Sequence, residues 1–434
     1  MKTNPIMPAI RAKGTFSLFK RIRSVASRYG LTSARMDRSL HLFAQTLAQF
    51  DCGASFALTA VVLSRNRDTI SKYLDQNIEF LVHGYTHIDY SRLSPEKQLD
   101  HLHRARKVFA TVGLEPSGFR SPYLIQETHL HAAIEATGFS YVSNQPIMWN
   151  VVDRDTLPPS TRATYERAIA FYNPWSADER PFLPQIRGQV VSIPVALPDD
   201  EMLIDRLSDA GDELVERAWQ SILSETYRRG ELFTIQLHPE RIALCESQLS
   251  AILSRARTLT PPVWLARLDE IAAWWRARSA AVVDVTETDD GAWHLSVAGP
   301  SGTTVLARGV QVLGPTEPWV DGYQKVSTQT CVVRAANKPF IGVSPTCPAA
   351  MIGFLRQQGY IVQIASDSEN HSIYLDRTTF VPQDERPLLI QIEKSSGPLV
   401  RLGRWPRGAQ SALVVSGDID AITSWDYVLR LLEK

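Results

Sequence analysis

The 434-residue chain reads as an α/β protein, an irregular parallel β/α barrel with a smaller mixed α/β domain inserted near its end. Three observations predict this. From about residue 39, helical and strand-like segments alternate, as they do in parallel-sheet proteins. His83, Arg120 and His238 each follow a short apolar strand, the place where parallel barrels carry their chemistry. The last segments, a strand at Ser411–Ser416 and a helix at Ser424–Leu432, cannot form a core alone, and their most economical partner is the first barrel.

Taken in order, Leu40, Leu42, Phe43, Leu47 and Phe50 recur at helical spacing, and the β-branched and aromatic run 55–63 reads as a strand. Residues 70–76 read as a helix and 78–82 as a buried strand that delivers His83. Ser94-Pro95-Glu96-Lys97 opens a long amphipathic helix to 111, with serine as N-cap and proline at the first helical position. Further strands are expected at 117–119, 139–142, 189–193, 232–237 and 263–266, with helices at 213–229 and 268–278. Near Ser279 the character changes to short β segments separated by Asp289-Asp290-Gly291 and Gly299-Pro300-Ser301-Gly302, which are turn signals. A small βαβ unit follows at 340–343, 349–358 and 360–365, then strands at 372–376 and 388–393. The expected domains are 1–279 for most of the barrel, 280–405 for the inserted part and 406–434 for the completing strand and helix.

Composition narrows the function. Apolar residues make up 44% and charged residues 21%, as in a globular protein with real cores. Basic and acidic residues balance at 46 each, so the net field favours neither nucleic acid nor an anionic membrane. Cys52, Cys245, Cys331 and Cys347 are far apart and form no Cys-x-x-Cys pair, which fits a reducing compartment and no zinc ribbon. The basic start of the chain holds only short apolar pieces such as Phe16–Phe19, too brief for a signal-peptide core, and no stretch reaches the length of a membrane span. A cytoplasmic location is expected.

Two motifs belong together chemically although they sit far apart. His83-Gly84-Tyr85-Thr86-His87 offers two imidazoles at the end of an apolar strand, and Gly417-Asp418-Ile419-Asp420 offers two carboxylates at another. Two histidines and a carboxylate make a three-ligand site for a divalent ion with a position left open for water, the layout of a hydrolase. Asp89 is a rival third ligand or the cap of a local turn. Asp420 or Thr423 can equally be the N-cap of the final helix. Arg120, in Gly118-Phe119-Arg120-Ser121-Pro122-Tyr123, is either a structural ion-pair partner or the charge that orients a catalytic carboxylate. His238, in Gln236-Leu237-His238-Pro239-Glu240, is either structural or a general acid.

Read jointly, these motifs resemble those of the polysaccharide deacetylases of carbohydrate esterase family four, whose shared unit is the NodB-homology domain. The family's His-x-x-x-His matches residues 83–87, its Arg-x-Pro-Tyr matches Arg120-Ser121-Pro122-Tyr123, and its Leu-x-His is met more loosely by Leu237-His238. The family's aspartate pair has no counterpart upstream of His83. Asp418-Ile419-Asp420 supplies it at the far end, which implies a circularly permuted barrel of the polysaccharide deacetylase type.

The resemblance implies a divalent metal, Zn²⁺ in first place, held by Asp420, His83 and His87. It implies Asp418 as general base, Arg120 holding Asp418, the Tyr123 backbone N–H on the oxyanion, and His238 as the acid for the leaving amine. A family Trp and Asp that tune the acid have only loose counterparts in Trp149 or Asp153. The expected activity is removal of an N-acetyl or similar acyl group from an amino sugar or glycan precursor. Hydrolysis of a non-sugar or cyclic amide, and a non-catalytic carbohydrate-binding barrel, stand as alternatives. If Asp420 shares a metal with His83 and His87, the three must approach closely enough for bonds of about 2.0–2.2 Å.

Overall fold

The computed structural model describes residues 28–207, 212–366, 368 and 370–432; the basic start of the chain lies outside them. Among the described residues no helix is long and apolar enough to cross a membrane.

Helix α1 (Ala34–Ala48) buries Met36, Leu40, Phe43 and Leu47, and strand β1 (Ala54–Leu58) is buried throughout. The expected strand 55–63 stops at Leu58, because the backbone turns at Thr59 into helix α2 (Ala60–Arg65). The N–H groups of Ala60 and Val61 then reach the carbonyls of Gly84 and Tyr85 at 3.0 and 3.1 Å, so a β-branched run is overridden by tertiary hydrogen bonds. The helix expected at 70–76 is the shorter α3 (Arg67–Ser71). Strand β2 (Ile78–Val82) ends where expected. Helix α4 (Pro95–Ala110) begins at its proline with Ser94 accepting from the Lys97 N–H. Then come β3 (Gly118–Phe119), α5 (Thr128–Ala136), β4 (Tyr141–Met148), α6 (Pro159–Tyr172), β5 (Trp175–Ser176), β6 (Gln185–Arg187), β7 (Val190–Leu197), α7 (Asp212–Arg229), β8 (Leu232–Leu237), α8 (Glu246–Thr258), β9 (Val263–Ala266) and α9 (Leu268–Ser279).

With β21 (Ser411–Ile419), these strands form a mainly parallel sheet in the order β6-β7-β4-β3-β2-β1-β21-β8, with β5 on β4 and β9 on β21. Strand β21 (Ser411–Ile419) is the last strand of the chain yet lies in the middle of the sheet, and all nine of its residues are buried. One edge pairs first with β9 and then with β1, and the other pairs with β8. Helix α12 (Ser424–Leu432) follows it. The expected barrel is not closed by backbone hydrogen bonds: β7 and β8 lie side by side but are not paired. The reason is local. Strand β7 pairs with β4 on one edge, and over Val190–Ser192 antiparallel β6 takes the other.

Three smaller sheets fall within residues 282–402. Two are four-stranded and antiparallel, β10 (Val282–Glu287), β11 (Trp293–Ala298), β16 (Thr330–Arg334) and β13 (Gln311–Leu313) in that order, and β14 (Thr316–Pro318), β15 (Tyr323–Val326), β12 (Val305–Arg308) and β20 (Leu399–Leu402); one is three-stranded and parallel, β18 (Val362–Ile364), β17 (Lys338–Val343) and β19 (His371–Leu375). Strand β17 (Lys338–Val343), α10 (Ala349–Gln357) and β18 (Val362–Ile364) make the expected βαβ unit. Residues 388–393, read as a strand, are instead helical within α11 (Glu385–Lys394), which buries Leu388, Leu389 and Ile392. Short apolar runs carry too little periodicity to separate the two states. The parallel unit gives Ile341, Val343 and Met351 to the core of the large sheet, whereas its Phe340 joins Trp293, Leu295 and Val333 of the antiparallel part in a separate core. Buried ion pairs clamp the seam: Arg386 to Glu231 at 3.0 Å and Arg180 to Glu385 at 3.2 Å.

Candidate metal centre

Register alone assembles the site. Asp418 is level with Ala57 on β1, and the pairing of Gly417 with Leu237 puts His238 at the next position beside it. Leu58 pairs with both Val82 and Ile419, so Thr59, His83 and Asp420 emerge together at the carboxyl edge of the sheet. Val82 pairs with Phe119 and Phe119 with Val142, which brings Arg120 and Ser143 alongside. Because alternate residues share one face, Gln236 and His238 on β8 point the same way, as do Ser416, Asp418 and Asp420.

His83 is held by its own N–H, given to the Leu58 carbonyl at 2.9 Å. The next residue has φ +92°, and a Cβ there would lie 2.9 Å from the Tyr90 hydroxyl; only glycine fits at Gly84. The turn then returns His87 to the site, with the two imidazole rings 5.1 Å apart. His83 Nδ1 lies 2.8 Å from the Arg120 carbonyl. A carbonyl only accepts, so Nδ1 carries a proton and Nε2 is the atom turned to the site. That Nε2 is 3.4 Å from Asp420 Oδ1, and His87 Nε2 is 3.2 Å from the same oxygen. The ligand atoms of His83, His87 and Asp420 all lie within 4.8 Å of one another.

The donor set fits a divalent ion. His83 Nε2 and Asp420 Oδ1 are buried and have no hydrogen-bond partner, an arrangement costly to leave unsatisfied and natural for ligands awaiting a cation. Burial first, then the Arg430 guanidinium, lowers His87 to about 4, so its imidazole is in the neutral form a metal needs. Burial alone would raise the Asp420 carboxyl, but the Arg430 guanidinium holds it well below the usual range. Arg430, from α12, binds the Oδ2 atom and leaves Oδ1 facing the histidines.

Arg120 is fully buried and uses all five N–H groups. Nε donates to the Ser143 carbonyl at 3.1 Å, Nη2 to the Ser143 and Ser416 hydroxyls at 2.9 and 3.0 Å, and Nη1 to Asp418 Oδ1 at 3.2 Å and Gln236 Oε1 at 2.5 Å. Gln236 Nε2 in turn donates to Asp418 Oδ2 at 2.7 Å. His238 is bound twice by Asp200, which accepts from Nδ1 and from the backbone N–H, both at 2.7 Å. Burial works against charging this imidazole, yet the Asp200 carboxylate outweighs it and pushes His238 up to about 10. Tyr123 adopts φ 62° in the turn after Arg120, and its ring stands edge-on to His87 at 4.8 Å.

The rival roles separate cleanly. Asp89 accepts from the Ser91 N–H and caps a local turn. Thr423 and Asp426 cap α12 reciprocally, each accepting from the other's backbone N–H at 3.1 and 3.0 Å, which leaves Asp420 to the site. The partner of His238 is Asp200, not Trp149, which packs on Phe182, nor Asp153, which caps its own turn. Asp200 has no place in the predicted site because the sequence predicts a strand over 189–193, whereas β7 runs to Leu197. Gln236 and Ser416 had a readable signal, a polar residue inside an apolar buried strand. Arg430 had none.

Residues 38–142 match the family model described as polysaccharide deacetylase, a span that takes in His83, His87 and Arg120 to Tyr123. Among solved structures, the allantoinase PuuE is 18% identical, covering 55% of this chain and 72% of its own, with a TM-score of 0.43. A probable polysaccharide deacetylase from Pseudomonas aeruginosa PAO1 is 18% identical, covering 55% of this chain and 73% of its own, with a TM-score of 0.43. A family 4 carbohydrate esterase from Streptomyces lividans, in complex with acetate, is 20% identical over 36% of this chain and 72% of its own, with a TM-score of 0.23. No curated protein matches the chain.

Proposed function

Because this chain carries a polysaccharide deacetylase domain, we propose that it is a metal-dependent amide hydrolase that removes an N-acetyl or similar acyl group from an amino sugar or glycan precursor. One observation carries the reading. Two imidazoles and a carboxylate converge, with His83 Nε2 and Asp420 Oδ1 buried and unpartnered, flanked by a second carboxylate and a histidine that Asp200 keeps protonated against its burial.

His83, His87 and Asp420 would hold the ion, Zn²⁺ suiting two nitrogens and one oxygen. When bound, it supplies a Lewis acid that acidifies water and polarises the acyl carbonyl. Asp418, whose Oδ2 lies 3.9 Å from His83 Nε2, accepts the proton of the attacking water. Arg120 keeps Asp418 turned into the site, and the Tyr123 backbone N–H meets the oxyanion. His238 gives its proton to the departing amine, without which an amide nitrogen is a poor leaving group. Residues 1–279 and 406–434 are taken as one permuted unit, with 280–405 inserted between old terminus and new.

The test is metal content of wild type and Asp420→Ala, with acetate release from N-acetylglucosamine oligomers. About one ion per chain in wild type, with metal and activity both lost in the variant, is the expected outcome. A variant that keeps its metal would overturn the ligand set and the permutation. A metal-loaded wild type that binds glycan without turnover would favour the binding-barrel alternative.

A further inference from the structure

We propose that Gln236 is a positioning residue for Asp418: its side-chain amide, together with Arg120, fixes the plane of the carboxylate that serves as base. The functional part of this inference rests on the hydrolase reading above; the structural part does not.

The carboxylate torsion of an aspartate is soft and roughly two-fold. A single hydrogen bond from Arg120 Nη1 to Asp418 Oδ1 at 3.2 Å restrains one oxygen and lets the group swing about it. The second anchor is Gln236 Nε2 on Oδ2 at 2.7 Å, and Oδ2 is the oxygen that faces His83. Gln236 Oε1 closes the ring by accepting from the same Arg120 Nη1 at 2.5 Å. Three side chains from three parts of the sequence therefore make one closed circuit. All are buried: Arg120 is fully enclosed, Gln236 is 4% exposed and Asp418 is 7% exposed. Water is thus a poor substitute for a missing member.

The orientation of the amide follows from the circuit itself. Turned over, it would set its NH₂ against an Arg120 N–H and its oxygen against a carboxylate, two repulsions in place of two hydrogen bonds. A neutral residue of both donor and acceptor character is therefore what this place in β8 requires. An acid there would repel Asp418, and an apolar residue would leave Oδ2 untethered. Remaining neutral also leaves the Arg120 charge matched by Asp418 alone. Gln236, buried in the mostly apolar strand Leu232–Leu237, thereby acquires a reason to be there.

Two variants and two kinds of measurement test this. Gln236→Met keeps length and volume but removes both hydrogen bonds. Gln236→Glu keeps an acceptor for Arg120 and turns the contact with Asp418 repulsive. In metal-loaded protein, kcat should fall by about tenfold to 100-fold in both, since misplacement of a reacting group by about 1 Å costs that much, while KM and metal content stay at wild-type values. Independently of activity, thermal unfolding of Gln236→Met, Asp418→Ala and the double variant should be non-additive, the double variant losing clearly less than the two single losses combined. If Gln236→Met does not fold, the kcat of Gln236→Glu decides. Wild-type kcat in either folded variant overturns the positioning role, and additive unfolding losses overturn the contact. An inactive, metal-loaded wild type would sink the hydrolase reading, while the unfolding cycle would still decide whether Gln236 anchors Asp418.

Discussion

Replacing Asp200 with asparagine removes the charge that keeps His238 protonated, and the size of the effect can be worked from the site. Asp200 accepts from the Nδ1 and the backbone N–H of His238 at 2.7 Å each. Burial drives the imidazole towards neutrality, and the carboxylate overrides it to push His238 up to about 10. An acid must hold its proton until the amine departs, so the wild-type rate should persist through neutral pH and decline as pH rises through about 10. In Asp200→Asn burial remains and the charge is gone, so His238 falls to its ordinary value of about 6.5 or below. At pH 8 the protonated fraction then drops from nearly complete to about 3%, a loss of about 30-fold in kcat. Asparagine also offers one acceptor where two are used, so its NH₂ group is set against either the backbone N–H or Nδ1. The second choice forces the wrong tautomer and deepens the loss. The assay is a pH–rate profile of metal-loaded wild type and variant from about pH 5 to about pH 11. An alkaline limb that does not move would refute the reasoning, because either His238 is not the acid or Asp200 does not set its charge.

Other consequences are structural. Gly84→Ala places a side chain at φ +92° against the Tyr90 hydroxyl; thermal denaturation should show a loss of about 1–3 kcal/mol, and metal binding should weaken with it. Glu79 is pushed up to about 7, first by burial and then by Asp269, so the native state holds this proton more tightly than the unfolded chain. Its contribution is complete below the ordinary carboxyl range and is lost as pH rises through about 7; urea midpoints should fall over that window in wild type and stay flatter in Glu79→Gln. Arg386 is bidentate on Glu231, at 3.0 and 3.1 Å, with both side chains buried. Arg386→Met strands that carboxylate and should cost about 3–5 kcal/mol in chemical denaturation, much of it recovered by adding Glu231→Gln.

Much of the site was legible because its residues are tied to strand ends, and strand ends can be read locally. Asp418 and Asp420, the His83 and His87 pair, Arg120 and His238 each follow an apolar run, and the structure brings them to one edge of the sheet. Where local reading failed, it failed at lengths and at short apolar runs. Ending β7 four residues early hid Asp200, and Leu388–Glu393 offered too few turns to reveal a helix whose buried face points into the shared core. Gln236 was visible as a polar intruder but had no role until its two partners were in place. Arg430 sits in the last turn of α12, outside every motif, and only the packing of that helix brings it to Asp420.

The sequence by itself determined which side chains could do chemistry and that each sits at a strand terminus, because apolar runs, prolines, caps and turn residues act over a few positions. It also required that the strand at 411–416 pair with other strands, because an unaccompanied strand leaves its backbone polar groups and apolar face unsatisfied. Only the tertiary structure decided where that strand inserts, namely between β1 and β8. Register is a property of paired strands: the match of Leu58 with Ile419 and Val82 places Asp420 beside His83, whereas a slip of one residue would turn both aspartates away from the site.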